Sequence, residues 1–388
     1  MEKKFETQAI RNQIERSQFS EHSSPLYLTS SFVFEDAEEM RSSFAEEKER
    51  NLYSRFTNPN TTEFVDKIVV MEGAEAGYAF ATGMSAIFST FAALLNAGDH
   101  IVSCRSVFGS THSMFHNYFP KWNIDTSYFK VNEVHLLESL IQENTKIIYI
   151  ETPTNPGVDI LDLELIGKIA KKHQLIFIVD NCFATPYIQQ PIKFGADLVI
   201  HSATKLIDGQ GRVLGGITVG KKELLREIYL FARNTGPAMS PFNAWVLSKS
   251  LETLAVRVDR HCENAFKVAQ FLEGHENVAL VTYPFLSSHP QYEVAKRQMK
   301  LGGSIVAFEI KGGIEAGRRF LDSLKMCSLS ANLGDTRTIV THPSSTTHGR
   351  LSEEDRLEVG ITDGLVRISV GLENVADIIA DIQQALSV

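Results

Sequence analysis

The spacing of apolar residues changes near residue 70. Before it, the first ~50 residues are polar and weakly periodic, with a charged run from Glu46 to Arg50, and read as an arm or a helix-and-loop extension. After it, short apolar runs recur. His100 to Cys104, Ile124 to Phe129, Lys146 to Ile150, Leu175 to Val179, Asp197 to Ile200 and Gly216 to Val219 read as strands. Met84 to Asn96 and Leu161 to His173 have helical spacing. Strands alternating with helices predict an α/β architecture, a mostly parallel sheet covered on both faces. Leu175-Ile-Phe-Ile-Val179 is apolar at every position, as a strand buried on both faces requires.

Ser240-Pro241 is a good helix start and opens a helical stretch to roughly Glu273. Beyond it the pattern is strand, helix, strand, helix, ending in a helix from Val375 to Leu386. The expected organisation is an N-terminal arm over 1–50, a large domain over 51–244, and a smaller C-terminal α/β domain over 245–388 that includes the long linking helix.

Composition narrows the function. The 388 residues are 43% hydrophobic and 22% charged, ordinary for a globular enzyme with a large core. A formal net charge of −9 supplies no basic excess to neutralise phosphates, which argues against nucleic-acid binding. No apolar run reaches the length of a membrane span, and MEKKFETQAIRNQ at the start lacks the apolar core of a signal peptide. Cys104, Cys182, Cys262 and Cys327 form no CxxC pair and are expected to be reduced, mostly buried thiols of a cytoplasmic protein.

Ligands of open α/β sheets gather at the carboxyl ends of the strands. There stand Glu151-Thr-Pro-Thr-Asn155 after Ile150, Asp180-Asn181 after Val179 and His201-Ser-Ala-Thr-Lys205 after Ile200, with Ala81-Thr-Gly83 before the helix at Met84. That set suits pyridoxal phosphate, an electron sink whose protonated ring nitrogen accepts charge when a bond to a substrate Cα breaks. Asp180 can keep that nitrogen protonated, since an adjacent negative charge favours a cation. Lys205, 25 residues on, can attach the cofactor covalently. Gly83 and Met84 at a helix N-terminus offer amides to its phosphate, and Ser202 and Thr204 offer hydroxyls. Singly, each has an ordinary explanation: a capping aspartate, a solvated lysine, a turn glycine. Their conjunction points to the cofactor.

Other motifs carry less. His342 and His348 flank a polar stretch without a clear third ligand, so hydrogen-bonding or surface roles are expected and no metal site. Gly209-Gln-Gly-Arg-Val-Leu-Gly-Gly has the wrong glycine spacing for a dinucleotide loop.

Over nearly its whole length the sequence resembles the trans-sulfuration (cystathionine γ-synthase type) family of pyridoxal phosphate enzymes. The matching segments are Tyr53-Ser-Arg55-Phe-Thr-Asn-Pro59, Ala81-Thr-Gly-Met-Ser, Glu151-Thr-Pro-Thr-Asn-Pro156, Val179-Asp-Asn-Cys-Phe-Ala-Thr-Pro186, His201-Ser-Ala-Thr-Lys205, Ser240-Pro-Phe242 and Val366-Arg-Ile-Ser-Val-Gly371. The resemblance implies a fold type I pyridoxal phosphate-dependent transferase with a seven-stranded sheet. It makes Lys205 the Schiff-base lysine and Asp180 the partner of the pyridine nitrogen. It gives Gly83, Met84, Ser202 and Thr204 to the phosphate. Tyr53 and Arg55 would reach the phosphate of a neighbouring subunit in a homotetramer built from two dimers. Arg367 would clamp the substrate α-carboxylate, and Asn155 would contact the cofactor ring oxygen and the substrate.

Two departures are informative. Val107-Phe108-Gly109-Ser110-Thr111 has Phe108 where the family has a ring-stacking tyrosine, and Asn332-Leu333-Gly334 replaces the family's Ser-Leu-Gly near the substrate carboxylate. Together with Asp208-Gly-Gln-Gly-Arg212 and Thr347-His-Gly-Arg-Leu-Ser352 they look like the O-succinylhomoserine sulfhydrylase branch. The expected reaction is γ-replacement on O-succinyl-L-homoserine by sulfide, a step of methionine biosynthesis. Arg105 is weighed both as a partner for the succinyl carboxylate and as a structural ion pair. The alternatives are a cystathionine γ-synthase using cysteine, an O-acetylhomoserine sulfhydrylase, a methionine γ-lyase, or a catalytically silent scaffold of the same fold.

Overall fold

The computed structural model describes residues 3–350 and 352–388; Met1 and Glu2 of the arm and Leu351 of the Thr347–Ser352 stretch lie outside the described residues. Seven strands form the larger sheet: β1 (Ala76–Phe80), β2 (His100–Cys104), β3 (Asp125–Phe129), β4 (Thr145–Glu151), β5 (Ile176–Asp180), β6 (Leu198–Ser202) and β7 (Gly216–Gly220). Their order is β1-β7-β6-β5-β4-β2-β3. The pairs from β6 across to β3 are parallel, and β7 runs antiparallel to both β1 and β6.

This is the mostly parallel seven-stranded sheet expected. β1 is not among the segments that the apolar pattern picks out. Ala76-Gly-Tyr-Ala-Phe80 has three small residues, and only its last two positions are buried. Strands also run further than their apolar residues indicate. Glu151, Asp180 and Ser202 end β4, β5 and β6 instead of beginning the turns that follow. The middle of the sheet is dry: Ile148, Ile150, Phe177, Val179 and Val199 are fully buried. Each such side chain contributes roughly 1.5–3 kcal/mol, so the strand ends that carry the polar residues are held on a rigid base.

The helix Leu163–Lys172 shows why the covering layer forms. Leu163, Ile166, Gly167 and Ala170 face inward, Asp162 caps the first turn by accepting from Leu165 N at 3.1 Å, and Lys171 and Lys172 meet the negative end of the helix dipole. The long helix expected from Ser240 to Glu273 is instead two helices, Pro241–Leu251 and Leu254–Glu273. At the break Thr253 has φ −114° and ψ 8°, and its hydroxyl donates to Ser250 O at 3.2 Å. A threonine satisfied on the preceding turn competes with helix propagation.

The second sheet has five strands: β8 (Val278–Thr282), β9 (Ile305–Ile310), β10 (Ser328–Leu329), β11 (Ile339–Thr341) and β12 (Leu365–Ser369), ordered β10-β11-β12-β9-β8. The final helix, Val375–Leu386, has the bounds expected and buries Ile378 and Ile382 against this sheet's core, which includes Phe308, Phe320 and Val366. A small third cluster joins the two sheets: Val158 and Phe183, from loops after β4 and β5, pack with Ile305, Ala307, Leu333 and Leu365.

Candidate active site

The carboxyl ends of β4, β5 and β6 open into a cavity of about 360 Å³. Ten of the residues expected at the site line it: Gly83, Met84, Phe108, Asn155, Asp180, Ser202, Thr204, Lys205, Leu333 and Arg367. Asn332 is brought in through Lys205, whose Nζ donates to Asn332 Oδ1 at 2.6 Å. Tyr53 and Arg55 do not line the cavity of their own chain. Tyr53 is exposed, and the Arg55 guanidinium lies over the Phe56 ring, 4.8 Å from its centre, and donates to the Arg233 carbonyl.

Lys205 stands in the turn that leaves β6. That turn is fixed from both sides. Asp208 N donates to Ala203 O at 2.9 Å and Gly209 N to Lys205 O at 2.8 Å. Buried Arg257, from the helix Leu254–Glu273, donates to Leu206 O at 2.8 Å and Ile207 O at 3.3 Å. The lysine is half-buried, and burial, with the Arg367 charge as a lesser cause, pushes its pKa down from 10.5. A lowered pKa makes more of the neutral amine, the form that attacks a carbonyl or takes a proton.

Asp180 and Glu151 end adjacent strands in register. Asp180 Oδ1 accepts from Cys182 N at 3.0 Å and Oδ2 from Tyr149 OH at 3.4 Å. Burial raises the pKa of both carboxyls, and for Glu151 the Asp180 charge raises it further. A buried carboxylate in this position is stabilised by a cation placed against it.

Gly83 opens the helix Gly83–Leu94, capped by Thr82, whose hydroxyl accepts from Ser85 N at 3.0 Å. The first amides of a helix have no intrahelical partner. A Cβ at position 83 would stand 2.7 Å from Ser202 Cβ and 2.8 Å from its Oγ, so only glycine lets the helix start and the end of β6 meet. Thr204 Oγ1 accepts from Gly215 N at 3.2 Å, which holds its side chain in the same corner.

Arg367 lies on β12 and is 6% exposed. Its Nη1 donates to Asn155 Oδ1 at 2.9 Å and its Nη2 to Asn332 O at 3.2 Å. Its Nε is buried with no hydrogen-bond partner among the described residues, and burial lowers its pKa to about 10. A buried guanidinium without a carboxylate bonded to it is poised to take one.

The remaining candidates separate. Arg105 is not on the cavity wall. It pairs with Glu358 at 3.3 Å and lies over the Tyr128 ring at 5.6 Å, the structural reading. His342 is buried, within hydrogen-bond distance of Ser345 Oγ at 2.7 Å and Asp363 O at 2.9 Å. His348, by contrast, lines the cavity. The sequence predicts a hydrogen-bonding or surface role for His348 and names none for Glu151, which also lines the cavity. A glutamate directly after an apolar strand is the available signal for Glu151; no spacing places His348 at the cavity. Among the described residues no group of three or more His, Cys, Asp or Glu side chains is placed to hold a metal ion.

The site fits pyridoxal phosphate on its own features: the Gly83–Ser202 cradle beside helix amides, a buried carboxylate at Asp180 and an amine at Lys205. Residues 6–387 match the model of the family described as Cys/Met metabolism PLP-dependent enzyme. The chain belongs to this family.

An O-succinylhomoserine sulfhydrylase of Pseudomonas aeruginosa is 45% identical over 383 residues, covering 99% of this chain and 95% of that protein. An L-methionine gamma-lyase of Fusobacterium nucleatum is 44% identical over 365 residues, covering 93% of this chain and 92% of the relative. The crystal structure of a putative O-acetylhomoserine (thiol)-lyase from Campylobacter jejuni carries N'-pyridoxyl-lysine-5'-monophosphate at position 205 of its own chain. It is similar to this fold with a TM-score of 0.95 at 33% identity, over 99% of this chain and 100% of that one. The fold is that of the fold type I pyridoxal phosphate enzymes, and the protein is a pyridoxal phosphate-dependent enzyme of the trans-sulfuration group. No helix among the described residues is long and apolar enough to cross a membrane.

Proposed function

We propose that the chain catalyses γ-replacement on O-succinyl-L-homoserine by sulfide, giving L-homocysteine and succinate. Phe108 carries this reading: an aromatic side chain lines the cavity at the position where the resemblance leads one to expect a phenol. A thiolate leaving group, of conjugate pKa roughly 8.5, is helped by a proton donor, whereas a carboxylate, of pKa about 4, leaves without one. A cavity without the phenol suits expulsion of succinate better than cleavage of a thioether. The 45% identity to an O-succinylhomoserine sulfhydrylase supports the same choice.

Bound pyridoxal phosphate supplies a sink for the electrons released at the substrate Cα. Lys205 would hold it, Asp180 would face its ring nitrogen, Phe108 would cover its ring, and Gly83, Met84, Ser202 and Thr204 would take its phosphate. Arg367, supported by Asn155 and Asn332, binds the α-carboxylate, with Leu333 on the wall beside it. That places the substrate Cα within reach of the lysine amine, which takes the Cα proton as general base. Tyr53 and Arg55, outside their own cavity, complete the site of a neighbouring subunit in a homotetramer, and the enzyme works in the cytoplasm.

A second reading is a methionine γ-lyase, favoured by the 44% identity to one. A product assay separates the possibilities. O-succinylhomoserine is offered with sulfide and with cysteine in turn, and O-acetylhomoserine and methionine are run beside it. Homocysteine and succinate from the first pair should form fastest. Faster cystathionine formation with cysteine, or faster thiol release from methionine, would overturn the proposal.

A further inference from the structure

We infer that Glu151 is a positioning residue that ties the Phe108 segment to the floor of the active site and bears on the Asn155 segment beside it. The inference rests on the reading of Phe108 and Asn155 as cofactor and substrate contacts.

Glu151 is 3% exposed at the end of β4, in the middle of the cavity floor. Its Oε2 accepts from Phe108 N at 2.7 Å. The backbone of Asn155, four residues on, also favours the charged form of this carboxyl. Phe108 lies between β2 and the short helix Gly109–Ser113, in extended geometry at φ −49°, ψ 133°, with a side chain exposed enough to turn. The hydrogen bond from its backbone N to Glu151 is therefore what fixes its backbone against the end of β4. Asn155 in turn accepts from Arg367 Nη1 at 2.9 Å. One carboxyl thus holds the Phe108 loop and bears on the Asn155 loop, whose side chain reaches the guanidinium on the second sheet.

A metal-ligand role is less fitting. Among the described residues no cluster around Glu151 could hold a metal ion, and the carboxyl already accepts from a backbone amide of its own chain. Backbone donors are what a carboxyl placed for architecture would gather.

The test is a double-mutant cycle read as the dissociation constant of pyridoxal phosphate from the apo protein and as the circular dichroism that the bound cofactor acquires. Glu151→Gln keeps an acceptor for the Phe108 amide; Glu151→Met keeps the length and removes the acceptor. Glu151→Gln should bind within about threefold of the wild type with an unchanged dichroic band. Glu151→Met should bind about tenfold more weakly with a diminished band. Placed in a Phe108→Ala background, Glu151→Met should cost threefold or less, because the ring it positions is gone. Wild-type affinity and dichroism in Glu151→Met, or effects that multiply fully with Phe108→Ala, would overturn the inference. Should Glu151→Met fail to fold, hydrogen exchange on the wild-type apo protein decides: the Phe108 amide is expected to be protected despite lying outside regular structure, and exchange as fast as an open loop sinks the idea. None of these readouts depends on which acyl donor or nucleophile is used, so failure of the functional proposal and failure of this one are separately visible.

Discussion

Lys205 Nζ donates to Asn332 Oδ1 at 2.6 Å, across 127 residues of chain. Asn332 therefore touches the amine through its side chain and Arg367 through its backbone carbonyl, which accepts from Nη2 at 3.2 Å. A carbonyl oxygen can only accept, so it orients the amine without occupying the nitrogen lone pair.

Asn332→Leu removes that acceptor. A lost hydrogen bond of this kind is worth about 1–2 kcal/mol, so exchange of the substrate Cα hydrogen in D₂O is expected to slow about tenfold. Cofactor affinity should stay within about threefold. An unchanged exchange rate would mean that the amide does not position the lysine during proton transfer.

The lowered pKa of Lys205 predicts a pH profile. In the apo protein, reductive methylation at position 205 should reach half its maximum below pH 10.5, the ordinary lysine value. Because the folded value lies below the unfolded one, the unfolded chain holds the extra proton between the two. Stability linked to this group is complete above 10.5 and is lost as pH falls through the folded value. Arg367 is one cause of the lowering, so Arg367→Gln should move the midpoint upward. A midpoint at or above 10.5 in the wild type contradicts the burial argument.

Gly83→Ala tests the phosphate cradle. The added Cβ would stand 2.7 Å from Ser202 Cβ, and overpacking of this kind costs roughly 1–3 kcal/mol. Titration of the apo variant with pyridoxal phosphate should give a dissociation constant raised about tenfold or more. Unchanged affinity would place the phosphate elsewhere.

Phe108→Tyr tests the leaving-group argument. A positioned acid contributes at least about 10²-fold to a step that needs it, so even a partly aligned phenol should raise thiol release from methionine several-fold relative to replacement on O-succinylhomoserine. If the ratio of the two rates does not move, the missing phenol is not what sets the preference.

The order of strands and helices was readable because both faces of the sheet are buried, so Leu175 to Val179 could show itself by apolar content alone. The placement of Lys205 and Asp180 in one cavity was readable only from their conjunction: singly, a lysine or an aspartate at a strand end has an ordinary explanation, whereas several such groups at neighbouring strand ends converge on one crevice. β1 was not, because Ala76, Gly77 and Ala79 are small and neutral in any pattern. Glu151 stood in plain sight after Ile150, yet its contact with the site runs through the amide of residue 108, 43 residues away, which side-chain patterning cannot encode. The break at Thr253 turns on one hydroxyl finding a carbonyl in the turn before it. His348 belongs to a polar stretch that the fold, and no periodicity, brings over the cavity.

The meeting of the two sheets has a consequence for any chemical probe of this enzyme. Gly334, at φ +75°, presses so closely on the lysine's own turn that a Cβ there would stand 2.6 Å from Leu206 N. Should the five-stranded lobe drift from the seven-stranded one, the amine loses its amide neighbour and Arg367 withdraws with β12 in the same movement. A reagent that reads the nucleophilicity of Lys205 is thereby also a strain gauge for the contact between the lobes.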